Sequence, residues 1–241
     1  MTGQLDGRTV VVIGGSSGIG LATARLARAE GAGVVLTGRD PERLARAVED
    51  VGASSAAAFD ATDPVRLEGF LGDLPALDHV LVTAGNPYYG LLGDLDLDEA
   101  GRHLAEHLTL PLRIARAVRG KVRPGGTLLF IGGTGARRPA PGLSVTSAMT
   151  LALPALIANL AVEIAPVRAN VIAAGFVDTP LSARLLGDDL EKRRQQLRDT
   201  VPIGRVVTAD DVAALAVHLM TNTALTGATY DIDGGQQFAA R

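Results

Sequence analysis

The chain has 241 residues, 47% of them apolar but only 3% aromatic, and a formal net charge of −3 with no cysteine. That balance sets nucleic acid and anionic membrane aside as main partners, and it removes disulfides and thiolate metal sites from consideration. The opening MTGQLDGRTVVV lacks the basic-then-apolar pattern of a signal peptide, and no apolar run is long and uninterrupted enough to span a bilayer; one cytoplasmic domain spanning 1–241 with an aliphatic core is expected.

Val10 to Ile13 form a β-branched run that breaks into a Gly/Ser-rich turn with glycines at 14, 15, 18 and 20, and LATARLARAEG continues at helical spacing. The reading is strand, tight loop, helix. Glycines there let the backbone turn sharply and approach a pyrophosphate, while the helix offers free N–H groups and the positive end of its dipole. Taken alone, the same residues also describe an ordinary strand-to-helix turn. A second strand, VVLTGRD, ends in Arg39 and Asp40. In dinucleotide folds that strand end lies beside the adenosine ribose, where an arginine pairs with a 2′-phosphate and an acid accepts from a 2′-hydroxyl. Arg39 is therefore either a cofactor contact or a solvated residue ahead of a helix capped by Asp40 and begun by Pro41.

Residues 41–51 read as a helix, SAAAFDAT as a short strand ending at Asp60, DPVRLEGFLGDL as a helix, and LDHVLVTAGN as a fourth strand running into Gly85. This alternation calls for a parallel sheet covered on both faces, with ligands at the strand C-terminal ends. An amphipathic helix over 97–118 carries His103 and His107, and TLLFIGG is a fifth strand. Residues 144–165 are helical, although Pro154 removes one backbone hydrogen bond and should kink the axis. RANVIAAG is a sixth strand, the Arg-rich stretch 180–200 a mobile helical flap, TADDVAALAVHLM a threonine-capped last helix, and ATYDIDGG the final strand.

Together GGSSGIG (14–20), GRD (38–40), FDATD (59–63), TAG (83–85), LAVEIAPVRANVIAAGFVDTPL (160–181) and the closing IGRVVTADDVA and TGATYDIDGG resemble the short-chain dehydrogenase/reductase family over nearly the whole chain. The resemblance implies a single-domain, doubly wound Rossmann α/β fold with a mainly parallel seven-stranded sheet. It also implies hydride transfer between a nicotinamide cofactor and a small carbonyl or alcohol, and a homodimer or homotetramer. For the cofactor, Gly14, Ser16, Ser17, Gly18, Ile19 and Gly20 match the phosphate loop, and Arg39 the basic position of members preferring NADP(H) over NAD(H). Asp60 and Ala61 match the adenine segment, and Ala84 and Gly85 the Asn-Ala-Gly turn, with Thr83 in place of its asparagine. Gly175, Val177 and Thr179 match the segment around the nicotinamide, with Ala174 replacing a proline.

The family's catalytic residues do not carry over. Anchored on LAVEIAP, its tyrosine falls on Thr146, its lysine on Thr150, its serine on Gly133 beside Thr134, and its asparagine on His107. No shift of register rescues the motif, because the only lysines are Lys121 and Lys192 and the only tyrosines Tyr88, Tyr89 and Tyr230. A phenol becomes a usable acid when a neighbouring cation lowers its pKa, whereas a threonine hydroxyl is far weaker and suits only hydrogen bonding to substrate.

Candidates to replace the lost acid are His107, whose imidazole titrates near neutrality, and Tyr88 or Tyr89 in the loop NPYYG. Each also has a plain packing role open to it. Thr146 remains a hydrogen-bonding candidate, and Arg137 and Arg138 are either anion contacts or solvated surface residues. HLAEH at 103–107 fits a zinc-peptidase pattern, but no third ligand is evident and no metal is expected. The resulting expectation is an atypical NADP(H)-dependent oxidoreductase. The alternatives are a non-catalytic NADP(H)-binding sensor and a cofactor-assisted lyase or isomerase.

Overall fold

The computed structural model describes residues 3–239. Its main sheet contains β1 (Thr9–Ile13), β2 (Gly33–Gly38), β3 (Ser55–Ala58), β4 (Leu77–Val82), β5 (Val122–Gly133) and β6 (Arg168–Ala174). After a separate small pair, β7 (Val177–Asp178) and β8 (Val207–Thr208), β9 (Thr229–Ile232) completes it. The order is β3-β2-β1-β4-β5-β6-β9. Every pairing is parallel, so the sheet is parallel throughout rather than mainly so.

Parallel neighbours need long crossovers, here supplied by α1 (Gly18–Ala29), α2 (Pro41–Val51), α3 (Pro64–Asp73), α4 (Leu97–Ala117), α5 (Ser144–Glu163) and α8 (Ala209–Thr221). Two further helices, α6 (Pro180–Leu186) and α7 (Leu190–Thr200), lie between β7 and β8 and form the expected helical 180–200 segment. The pair β7–β8 was too short for any periodic signal. β3 stops at Ala58, short of the expected Asp60, because the Asp60 carboxylate turns the chain by accepting from the Thr62 amide and hydroxyl, both at 2.9 Å.

Strand alternation divides the core. Val11 and Ile13 face one layer with Leu67, Ile114, Leu153 and Ile157, whereas Val10 and Val12 face the other with Ala24, Leu44, Val212 and Ala216. Local signals agree with these layers: Asp40 caps α2 through the Arg43 amide at 3.0 Å, and Thr208 with Asp211 forms a capping box on α8. Among the described residues α5 is the one helix long and apolar enough to cross a bilayer. It buries Val145, Met149, Leu153 and Ile157 on one stripe and leaves Leu151 and Val162 exposed.

Two charged groups hold the sheet's other end. Arg168 is buried at the start of β6 and donates to the carbonyls of Gly125, Leu219, Met220, Asn222 and Leu225, so α8's terminal carbonyls have a cation to bond. Asp78 is buried between Arg8 (3.0 Å) and Arg123 (2.8 Å) and also accepts from the Thr9 amide. Burial pushes its carboxyl up, but the Thr9 amide and the two arginines together bring it below the usual range.

Next to it, His79 is buried with Nδ1 unpartnered, and burial, aided by the charges of Arg168 and Arg8, lowers its imidazole to about 4 against the opposing pull of Asp78. The folded chain thus keeps His79 neutral where the unfolded chain protonates it. Its contribution is complete above about pH 6.5 and is lost as pH falls toward the folded value, at most roughly 3 kcal/mol in all. Urea unfolding across pH 7 to 4 should show stability declining in that window, and His79→Leu should flatten the decline; an unchanged slope would remove His79 as its source.

Candidate active site and cofactor cradle

The strand order reverses between β1 and β4, and the crevice at their C-terminal ends is the place where this topology takes a ligand. Gly14 (φ +94°) and Gly18 (φ +53°) adopt backbone that L side chains rarely enter. At Gly20 an added Cβ would lie 2.3 Å from the Gly14 carbonyl oxygen, and at Gly14 one would lie 2.6 Å from Thr83 Oγ1. Thr83 Oγ1 donates to the Gly14 carbonyl at 3.0 Å, fastening the loop to the end of β4. Ser17 stands at the N-cap of α1 without a side-chain cap bond, so the first amides of α1 are left for another acceptor. Ser16 lies against Gly38, where a Cβ would come within 2.8 Å of its Oγ, and Ile19 packs on the core layer below.

At the ends of β2 and β3, Arg39 Nη1 and the Asp60 carboxylate stand 3.8 Å apart with both side chains about half exposed. Ala61 beside them is buried in the core. At the end of β4, Ala84 donates its amide to the Ile13 carbonyl at 3.2 Å, and Gly85 has φ +129° with open space where a Cβ would stand. Across the crevice, Val177 is buried, and Thr179 caps α6 in a reciprocal box with Ser182. The Thr179 methyl comes within 3.4 Å of where a Gly18 Cβ would be, so the two segments face one another. Gly175 has no room for a side chain, because Asp233 Cβ lies 2.6 Å and Gln236 Oε1 2.8 Å from that position.

The remaining candidates separate into two groups. Thr146 Oγ1 donates to the Tyr88 carbonyl at 2.7 Å and accepts from the Tyr88 amide at 3.1 Å, so its hydroxyl is committed to the 85–91 loop. The Tyr88 ring stacks on His103, centroids 4.8 Å apart, and its hydroxyl reaches the Glu99 carboxylate at 3.3 Å. Burial and that carboxylate both raise the phenol above its ordinary value. Tyr89 is half exposed at the loop, and its phenol is also raised by burial. Arg137 is held by the carboxylate of Asp231, through Nη2 at 2.6 Å, and by Gln237. His107 keeps a buried unmet polar atom: Nε2 is shielded from solvent without a partner, and burial lowers the imidazole below its ordinary value. Among the described residues no three His, Cys, Asp or Glu side chains converge as a metal site.

Gly133 lies opposite Thr150, whose Cγ2 would be 3.4 Å from a Cβ there, so the end of β5 and the first turns of α5 are in contact. A family model described as enoyl-(acyl carrier protein) reductase matches residues 13–237. The chain belongs to the short-chain dehydrogenase/reductase family. The relatives span it almost completely. The short-chain dehydrogenase/reductase malC of Malbranchea aurantiaca is 28% identical over 96% of this chain and 95% of its own. The structure of that organism's MalC reductase/Diels-Alderase superposes with TM-score 0.90 at 26% identity, covering 98% of each chain. BdcA in complex with NADPH superposes with TM-score 0.86 at 28% identity, covering 97% of this chain and 96% of its own.

Two prolines stand four residues after candidate site positions: Pro111 after His107 and Pro154 after Thr150. Each lies inside its helix and has no N–H to give, so the carbonyls of His107 and Thr150 lose their usual helical donor. Sequence alone gave no sign of the Thr146–Tyr88 staple or of the C-terminal turn around Asp233 and Gln236, because both are contacts between distant segments. Thr146→Val should remove two loop hydrogen bonds and cost about 1–2 kcal/mol. The loss should be confined to the 85–91 amides in hydrogen exchange; unchanged protection there would contradict the staple.

Proposed function

We propose that this dehydrogenase/reductase binds NADP(H) in preference to NAD(H) and reduces a small carbonyl compound at a site lacking the family's tyrosine and lysine. The observation that carries this reading is the cradle at Gly14, Gly18 and Gly20, where backbone replaces side chains in front of the N-terminus of α1. The residues fit a dinucleotide: Ser16, Ser17 and Ile19 border the phosphates, Ala61, Ala84 and Gly85 the adenosine side, and Gly175, Val177 and Thr179 the nicotinamide side. Arg39 would exchange its loose pairing with Asp60 for a 2′-phosphate. The bound cofactor supplies or accepts a hydride. The NADPH named in the BdcA complex supports the choice of cofactor.

The chain's own contribution is then position more than proton transfer. Thr146 holds the Tyr88 loop over the site, Tyr88 and Tyr89 shape its rim, and α6 with α7 forms the substrate flap. His107 is the proton relay. Its lowered imidazole is neutral at pH 7, so proton supply should grow as pH falls below the ordinary histidine value. The exposed Leu112, Leu151 and Val162 on α4 and α5 suit a second copy of the chain, giving a homo-oligomer. A non-catalytic cofactor-binding role is the second reading, favoured by the commitment of the Thr146 hydroxyl to the Tyr88 backbone.

Parallel calorimetric titrations with NADPH and NADH test the cofactor. NADPH should bind at least tenfold tighter, and Arg39→Ala should erase that preference while leaving NADH unchanged; equal affinities in the native chain would overturn it. In a carbonyl panel followed by NADPH absorbance, His107→Phe should lower kcat/KM about 100-fold with cofactor affinity unchanged. Binding of NADPH without oxidation by any carbonyl would favour the non-catalytic reading.

A further inference from the structure

A cavity of about 450 Å³ opens between the 134–143 segment that follows β5, the helix α7 and the C-terminal turn. Its inner wall is Thr134, next to the end of β5, and much of the rest is apolar, with Pro139, Leu143 and Leu197. Two guanidinium groups line it, Arg138 and Arg193, and both are half-buried. The arginines around them are neutralised: Arg137 by Asp231, and Arg194 by Asp178 at 2.7 Å and Glu191 at 3.2 Å. Arg138 and Arg193 are not. Arg138 donates to the Gln236 carbonyl at 3.0 Å and Arg193 to Gln196 Oε1 at 2.7 Å, both uncharged acceptors, and among the described residues neither forms an ion pair. Both face the same cavity, and burial, then the charge of Arg138, push the Arg193 guanidinium down.

Two like charges drawn into one partly apolar cavity without a counter-ion are costly unless an anion enters with them. Guanidinium forks match a carboxylate in plane and in spacing, and the match is strongest where water is excluded. We infer that this cavity takes the carboxylate of an oxo-acid substrate on Arg138 and Arg193, leaving the apolar wall for its hydrocarbon part. The carbonyl end of the assignment rests on the reductase reading above; the anion end does not. The acid is held by its charge while its carbonyl lies toward Thr134 and the end of β5, which gives a site without a strong proton donor a means of orienting its substrate.

The test uses the full chain with benzoylformate and 3-benzoylpropionate as probes, each beside its methyl ester, titrated calorimetrically with and without NADPH. At least one acid should bind tenfold or more tighter than its ester. Arg138→Gln and Arg193→Gln should each abolish most of that difference without changing NADPH affinity. If both acids bind no better than their esters, or if the glutamine variants bind them as the native chain does, the inference is overturned. Failure of NADPH to bind while acid binding persists and depends on the two arginines would remove the nicotinamide reading and leave the anion site standing.

Discussion

The structure depends on one close approach, between the backbone where β1 ends and the backbone where α1 begins. Gly20 passes so near the Gly14 carbonyl that no side chain fits, and Thr83 reaches across from β4 to bond the same carbonyl. This contact fixes the angle at which α1 leaves the sheet, and so it aims the helix's free amides into the crevice between β1 and β4. Everything else in the nucleotide half is arranged around it. β2 brings Arg39 to the crevice edge, and the segment ending in Thr179 comes down opposite Gly18.

The other half of the crevice follows a different rule. Here the chain gathers hydroxyl and imidazole groups that are occupied by the protein itself or shielded from water. Thr146 is bonded twice to the Tyr88 backbone, Tyr88 leans on His103 and Glu99, and His107 keeps a buried ring nitrogen without a partner. Such a pocket can orient a reactant well while moving protons poorly. Holding the reactant by a remote charge suits that combination, because binding energy gained away from the reacting carbon can still fix its approach.

Much of the architecture was legible in the sequence, since β-branched runs alternate with helical spacing and glycines mark the turns. The caps at Asp40 and Thr208 lie where residue type alone puts them. The cradle was legible for the same reason: it is local, and a short run of residues carries it. The pocket was not. Arg137 and Arg138 are adjacent in the chain and looked equivalent, yet Asp231 from the last strand takes one and leaves the other. Arg193 joined the site from a helix read only as part of a polar flap, and nothing in EKRRQQLR distinguishes it from Arg194, which Asp178 neutralises. Pairing over such sequence distances is decided by the fold, and no local pattern encodes it.

The Thr146 staple also bears on what this position can hold. A phenol there would carry its oxygen several ångströms farther from the backbone and could make neither bond to Tyr88, so the loop would lose its anchor. A lysine at 150 would bring a cation to a helix turn whose carbonyl Pro154 has already freed. The two positions thus differ in what they would tolerate: a phenol at 146 trades loop order for acidity, whereas a cation at 150 meets a carbonyl with an open acceptor.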